Sequence, residues 1–139
     1  MSKISTISDC KIIDLPKIHN RSGNLTAMNE GIEVDFNIAR VYYLYDIPGG
    51  ESRGAHAHYE LEQIIVAASG CFDVVLDDGM NKKSFTLNRP YQGLYVTPGI
   101  WRDLINFSSG AILLVLASLK YSESDYIRNY DDYLAYKKV

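Results

Sequence analysis

Two histidines separated by one residue form the group in this sequence best suited to chemistry. His56 and His58 stand in the run Gly-Ala-His-Ala-His at positions 54–58. Alternate side chains of an extended strand point to the same face, so both imidazoles would enter one cavity. Glu62 lies an even number of residues from both, and we expect it to line the same cavity. Two imidazoles with a carboxylate suit either a transition-metal site or proton transfer near neutral pH.

A second segment bears on the choice between these chemistries. The pattern G-x5-H-x-H-x3-E that begins at Gly50 resembles the first motif of the cupins, which lines a small β-barrel. The segment from Gly93 to Asn106 resembles the second cupin motif, with Arg102 at the position of the last metal-binding His. A guanidinium stays protonated and cannot ligate a metal ion. The sequence therefore predicts no metal and no cofactor, and favours a site for an anionic substrate or intermediate.

Two further arginines are expected near the mouth of such a barrel. Arg53 precedes His56 by three residues, and Arg40 lies on the strand before it. The planar guanidinium donates two parallel hydrogen bonds, which suits a diphosphate. A surface salt bridge is the alternative for Arg40. Phosphate contact is the interpretation that we favour for Arg53.

Composition and charge exclude several classes of partner. The chain has 139 residues and a formal net charge of −3, without a basic run, which argues against nucleic-acid binding. Its longest apolar run, 111–117, is too short to span a membrane. We expect one domain over residues 1–139. The N-terminus lacks the apolar stretch of a secretory signal, and Cys10 and Cys71 have no CxxC partner, so we expect free thiols and a cytoplasmic protein.

Short β-rich segments with Gly and Pro between them predict an all-β sandwich or barrel. The predicted strands cover 9–15, 25–28, 38–45, 62–68, 71–77, 82–87, 93–96, 104–107 and 111–118, and 30–37 is predicted as a loop. A short helix is predicted over 124–138, with Ser124 as its N-cap. The strand at 111–117 is apolar on both faces, so its outer face needs a cover. We expect a second subunit to provide it.

Several runs together resemble the sugar-nucleotide 3,4-ketoisomerases, over about residues 25 to 133. They are Arg40-Val41-Tyr42-Tyr43, Arg53 to His58, Leu61-Glu62-Gln63, Gly93 to Val96, Trp101, Val115 to Ser118, and Asp125-Tyr126-Ile127-Arg128 with Tyr130. The resemblance implies a cupin-type jelly-roll homodimer that acts without metal on dTDP-4-keto-6-deoxy-D-glucose. It also implies a place in the biosynthesis of unusual sugars for surface polysaccharides or natural products.

The resemblance also implies roles for individual residues. His58 would carry the proton between C3 and C4 of the sugar, with His56 in support, since an imidazole titrates near neutral pH. Arg102 or a Tyr hydroxyl would stabilise the oxyanion. The remaining residues expected to contact substrate are Arg40, Arg53, Tyr43, Glu62, Tyr95, Trp101 and Asn106, although core packing is the alternative for the three aromatic residues.

The configuration of the product at C4 depends on position 102. Arg102 resembles the branch that produces dTDP-3-keto-6-deoxy-D-glucose, whereas a His there resembles the branch that produces the galacto epimer. Ser22, before Gly23, matches neither branch. We expect the gluco product. Three alternatives to this function stay open at the level of sequence: a dTDP-sugar 3,5-epimerase, a non-catalytic sugar-nucleotide sensor, and a metal-dependent cupin enzyme.

Overall fold

The computed structural model describes residues 2–138. Within that range the chain forms short 3₁₀ turns, twelve strands and one α-helix. The strands are β1 (Lys11–Asp14), β2 (Ile18–Asn20), β3 (Gly23–Leu25), β4 (Arg40–Leu44), β5 (Arg53–His58), β6 (Gln63–Ser69), β7 (Phe72–Asp77), β8 (Lys82–Leu87), β9 (Gln92–Val96), β10 (Trp101–Ile105), β11 (Ile112–Ala117) and β12 (Tyr126–Ile127). The helix α1 spans Tyr130–Lys137. No helix of the described range is long and apolar enough to cross a membrane.

Two five-stranded antiparallel sheets contain most of the chain. Their strand orders are β1-β9-β6-β11-β4 and β12-β5-β10-β7-β8, and β2 and β3 form a separate hairpin. Alternating apolar residues of both sheets, such as Ile65 and Val115 from the first and Val74 and Leu76 from the second, pack into one buried core. The all-β prediction is confirmed. The sequence placed a strand at 25–28, whereas Leu25 is the last residue of β3.

The outer face of β11 is covered by the chain itself. Leu116 is buried in a second apolar cluster with Val34 and Phe36, and Leu114 packs against that cluster. Val34 and Phe36 belong to the segment between β3 and β4, which forms only an isolated bridge, so the loop prediction for 30–37 holds. The apolar outer face of β11 therefore does not by itself require a second subunit, and this reason for expecting a dimer is wrong.

The C-terminal helix begins later than the sequence predicts. Its N-cap is Asn129, whose side chain accepts a hydrogen bond from the backbone N–H of Asp132 at 3.0 Å. Ser124 lies in a 3₁₀ turn, and the next residues form β12, which pairs with β5. Strand pairing satisfies backbone groups that a helix would have bonded within itself, and it overrides the helical spacing of the side chains. This correction matters for function because it places Asp125 beside His58.

Candidate active site

A cavity of about 290 Å³ opens between the two sheets. Strands β5 and β10 place its central groups, because His56 and Arg102 are directly opposite each other in the antiparallel pair. Residues that carry polar groups come from both sheets and line the cavity as follows: Arg40, Tyr42, Arg53, His56, Gln63, Arg102, Tyr126 and Arg128. The cavity thus combines an imidazole with several cations.

The two histidines and an aspartate form a chain of hydrogen bonds. Nε2 of His56 lies 3.1 Å from Nε2 of His58, and Nδ1 of His58 lies 3.1 Å from Oδ2 of Asp125. The Asp125 carboxylate also accepts the backbone N–H groups of Glu60 at 2.9 Å and Leu61 at 3.2 Å. The chain runs from the cavity into the interior of the protein.

The N–H donors around Asp125 determine where the protons lie along the hydrogen-bonded series His56, His58 and Asp125. A carboxylate that already accepts two N–H groups acts as an acceptor, so Nδ1 of His58 carries a proton and donates to it. Nε2 of His58 then has a lone pair and accepts from Nε2–H of His56. This assignment leaves Nδ1 of His56 as the nitrogen with a free lone pair. His56 is therefore held in the form of a base.

Burial keeps both imidazoles neutral. It lowers the pKa of His56 to about 3 and that of His58 to about 2, and the positive charge of Arg102 acts in the same direction. Burial also raises the pKa of the Asp125 carboxyl, although the N–H groups of Glu60 and Leu61 oppose that effect. At neutral pH the two histidines are therefore available as bases rather than as acids.

These pKa shifts predict that the protein loses stability as the pH falls below about 6.5. The unfolded chain protonates His58 near that pH, whereas the folded chain does not until about pH 2. The unfolded state then binds one more proton, so the free energy of unfolding falls by about 1.4 kcal/mol per pH unit for this group. Urea unfolding between pH 7.5 and 5 measures the slope. We expect the free energy of unfolding of His58→Gln to depend less steeply on pH than that of the native protein. The control His19→Gln, at an exposed position, should keep the native slope. Equal slopes in both variants would contradict the assignment.

Arg102 is a buried cation without a complete set of partners. Its exposed fraction is 1%, and Nη2 donates to the carbonyl of Ile100 at 3.0 Å. Within residues 2–138, Nε and Nη1 have no hydrogen-bond partner. A buried charge with two unpaired nitrogens is costly unless a ligand completes the set. The arrangement is thus suited to binding negative charge inside the cavity.

Comparison with known proteins identifies the family of this chain. The family described as FdtA: WxcM-like, C-terminal, matches residues 8–138. The TDP-4-oxo-6-deoxy-alpha-D-glucose-3,4-oxoisomerase of Aneurinibacillus thermoaerophilus is 45% identical over 126 residues, which are 91% of each chain. The chain belongs to the sugar-nucleotide 3,4-ketoisomerases. The resemblance noted in the sequence is confirmed.

Two solved structures show how far the likeness to this ketoisomerase family extends. The TDP-quinovose 3,4-ketoisomerase of Campylobacter jejuni is 48% identical, with a TM-score of 0.89 and coverage of 93% of this chain and 99% of that one. A variant of the 3,4-ketoisomerase of Thermoanaerobacterium thermosaccharolyticum, in complex with TDP-4-keto-6-deoxyglucose, is 36% identical. Its TM-score is 0.91 and the match covers 94% of each chain. The similarity therefore includes the whole cupin-type domain.

Four residues that the sequence placed among the catalytic or phosphate-binding groups line the cavity. They are His56, Arg102, Arg53 and Arg40. His58 does not line it, because its ring lies behind His56 and is 1% exposed. The salt bridge considered for Arg40 is not found within the described residues. Its guanidinium instead lies 4.7 Å from the centre of the Tyr42 ring.

Glu62 does not share the cavity with the histidines, and that expectation is wrong. Its carboxylate accepts the hydroxyl of Tyr95 at 2.7 Å, and neither residue lines the cavity. Even spacing places two residues on one face only within a single strand. Here β5 ends at His58, and β6, which belongs to the other sheet, begins at Gln63. Gln63 consequently takes the position on the inner face that the sequence assigned to Glu62.

Three other predicted contacts also lie outside the cavity. Tyr43 is 59% exposed on the edge strand β4. Trp101 is buried against the aromatic rings of α1, on the opposite face of β10 from Arg102. Asn106 donates to the carboxylate of Asp73 at 2.8 Å on an exposed part of the surface. For Trp101 the core-packing alternative is the one that the structure supports.

Sequence reasoning missed Asp125 and four polar cavity residues, Tyr42, Gln63, Tyr126 and Arg128. The ring of Tyr126 lies 4.4 Å from that of His58 and 5.0 Å from that of His56, measured between centroids. Arg128 forms an exposed ion pair with Glu123 at 2.6 Å. All five missed residues belong to runs that carry the family resemblance. Those runs were the signal that could have identified them.

Proposed function

We propose that this protein converts dTDP-4-keto-6-deoxy-D-glucose into its 3-keto isomer by proton transfer between C3 and C4 without a metal ion. The observation that supports this best is the cavity, where a neutral imidazole faces a buried guanidinium with unpaired N–H groups. Moving a ketone from C4 to C3 needs a base for the C3 proton and a cation for the enediolate that results. His56 and Arg102 supply these two functions.

His56, rather than His58, is the base in this proposal. It lines the cavity, and its Nδ1 keeps a lone pair because Nε2 donates to His58. His58 and Asp125 are positioning residues that fix the tautomer of His56. The proton-carrying role that the resemblance implied for His58 therefore passes to its neighbour, and His58 acts through it.

Arg102 and Tyr42 stabilise the enediolate oxygens. The unpaired Nε and Nη1 of Arg102 provide hydrogen-bond donors in the cavity. Burial raises the pKa of Tyr42, so its hydroxyl stays protonated and can donate a hydrogen bond. Donors that the fold holds toward the developing charge need little reorganisation in the transition state.

The nucleotide diphosphate binds at the cationic mouth of the cavity. Arg40, Arg53 and Arg128 line it and come from three different strands or their ends. A diphosphate accepts paired hydrogen bonds from guanidinium groups. The relative from Thermoanaerobacterium thermosaccharolyticum is described with TDP-4-keto-6-deoxyglucose bound, which supports the same class of substrate here.

The C4 centre of the product has the gluco configuration in this proposal. In that configuration the hydrogens on C3 and C4 lie on opposite faces of the ring, so His56 cannot return to C4 the proton it removes from C3. Arg102 is a poor proton donor, but it can orient a water toward the far face. The 48% identical relative is a TDP-quinovose enzyme, and quinovose is 6-deoxyglucose.

An assay in D₂O tests the reaction and its stereochemistry together. We expect NMR to show the keto group at C3, solvent deuterium at C4 and no deuterium at C5. Reduction or amination of the labile ketone in parallel H₂O samples should give a large H4–H5 coupling, typical of two axial hydrogens. Activity should persist after exhaustive chelation. Deuterium at C5 with the keto group still at C4 would indicate a 3,5-epimerase, and binding without turnover would indicate a sensor.

We also propose a homodimer in a reducing compartment such as the cytoplasm. Strand β4 is the edge of its sheet and exposes Val41 and Tyr43, with exposed fractions of 54% and 59%. An unpaired strand edge with apolar side chains is suited to pairing with another chain. Sedimentation equilibrium should give about twice the chain mass of 15.7 kDa, and a monomer mass would exclude the dimer.

The two cysteines support the reducing compartment. Cys10 and Cys71 are free thiols, which is typical of such compartments.

A further inference from the structure

A second cleft contacts Asp125, which lies at the end of the hydrogen-bond chain away from His56. Its volume is about 400 Å³, and its lining includes Glu60, Lys120, Ser122, Ser124 and Asp125. None of its lining residues lines the cavity that contains His56. We call it the rear cleft. The proposed reaction assigns no function to it.

Asp125 is the point at which the rear cleft meets the histidines. Its side chain is 10% exposed, whereas that of His58 is 1% exposed. The two 3.1 Å hydrogen bonds from His56 through His58 to Asp125 therefore link the cavity to the rear cleft. A continuous chain of this kind can move a proton's charge without moving any heavy atom.

The carboxylate is also the better proton acceptor of the three groups. Burial and the charge of Arg102 lower the pKa of both histidines to about 3 and about 2, whereas burial raises that of Asp125. A positive charge on His56 would lie in the same cavity as Arg102. The same proton on Asp125 would create no new positive charge.

We propose that Asp125, acting through His58 and His56, takes up the positive charge of the C3 proton during turnover, and that the rear cleft gives small acids access to that position. The proposal rests on the isomerase function described above. It goes further, because a residue that only fixes a tautomer need not accept a proton.

The transfer balances as follows. The C3–H bond breaks, its proton bonds to Nδ1 of His56, and its electron pair enters the enediolate. At the same time Nε2–H of His56 passes its proton to Nε2 of His58, and Nδ1–H of His58 passes its proton to Oδ2 of Asp125. Both histidines stay neutral, and one negative charge has moved from Asp125 to the enediolate beside Arg102.

The site returns to its starting state when C4 is protonated. The hydroxyl proton on O3 of the enediolate moves to O4, which leaves the negative charge on O3. Water then donates a proton to C4 as O3 becomes the new ketone, and the hydroxide that is left takes the proton from Nδ1 of His56 to re-form water. Asp125 returns its proton to Nδ1 of His58, and His58 returns its own from Nε2 to Nε2 of His56. No oxidant, reductant or other reactant is needed.

Chemical rescue separates proton acceptance from positioning. We expect Asp125→Ala to lower kcat by about 10²-fold, as loss of an acid–base group does, and formate to restore it at least about tenfold in a saturable way. Formamide is similar in size, and its oxygen can accept the Nδ1–H of His58, but it cannot take a proton at neutral pH. It should not rescue. Equal rescue by formate and formamide, or none by either in a folded variant, would overturn the proposal.

A second measurement covers the case in which Asp125→Ala does not fold, since Asp125 also binds two backbone N–H groups. The rate of the wild-type enzyme, with substrate deuterated at C3, is measured in H₂O–D₂O mixtures and plotted against the fraction of D₂O. The plot should be curved, because more than one solvent-exchangeable proton moves in the rate-limiting step. Asp125→Asn should follow a straight line. The control Asp14→Asn, on the exposed strand β1, should follow the wild-type curve.

A straight line for the wild-type enzyme would also overturn the proposal. The failure of the isomerase function is a separate result. It would appear as the absence of a 3-keto product from the wild-type protein, whatever the effect of formate.

Discussion

Replacing His56 with Asn should lower kcat by about 10²- to 10⁴-fold, which is the usual effect of removing a general base. The nucleotide should still bind, because the arginines at the mouth of the cavity are unchanged. Asn places a polar amide of similar size at this position of β5, but the amide has no basic nitrogen. The variant should therefore separate proton transfer from binding. Turnover of the 4-keto sugar and calorimetric binding of dTDP measure the two properties.

The matched control is His19→Asn, which changes an exposed histidine whose side chain, within residues 2–138, hydrogen-bonds only to Asn24 on the neighbouring strand. It should retain wild-type turnover. His58→Asn provides a further comparison, since it leaves His56 in the cavity but removes the acceptor of its Nε2–H. We expect at least about a 10²-fold loss there as well, with binding retained. Normal turnover by His56→Asn would exclude it as the base.

Replacing Arg102 with Met should have opposite effects on activity and stability. We expect kcat to fall by about 10²- to 10³-fold, the usual effect of losing a donor to a developing oxyanion. The free energy of unfolding should stay the same or rise by about 1 kcal/mol, because a buried charge with unpaired N–H groups is replaced by an apolar side chain. Urea unfolding and steady-state kinetics on the same preparation measure both changes.

This combination distinguishes a functional cation from a structural one. If Arg102 held the two sheets together, its loss would lower stability by several kcal/mol, as breaking a buried ion pair does. The control Arg89→Met removes an exposed guanidinium that, among the described residues, donates only to the carbonyl of Asn88, and it should change neither quantity. A variant at position 102 with full activity would exclude Arg102 from the reaction.

Local pattern in the sequence was sufficient for most of the strands and for part of the site. Alternation along Arg53–His58 identified the paired histidines, and the arginine at position 102 predicted a site for negative charge rather than for a metal ion. The all-β class followed from β-formers between turn residues. These features depend on properties of single strands, which a sequence states directly.

The tertiary structure decided which residues meet. The rule of even spacing holds only within one strand, so it placed Glu62 in the cavity although the chain changes sheets between His58 and Gln63. Helical spacing after Ser124 concealed β12, because pairing with β5 is non-local. Asp125 accepts N–H groups 64 and 65 residues away in the chain, and no local pattern predicts such a bond. The paired histidines were thus visible in the sequence, whereas the carboxylate beside His58 depended on contacts that only folding creates.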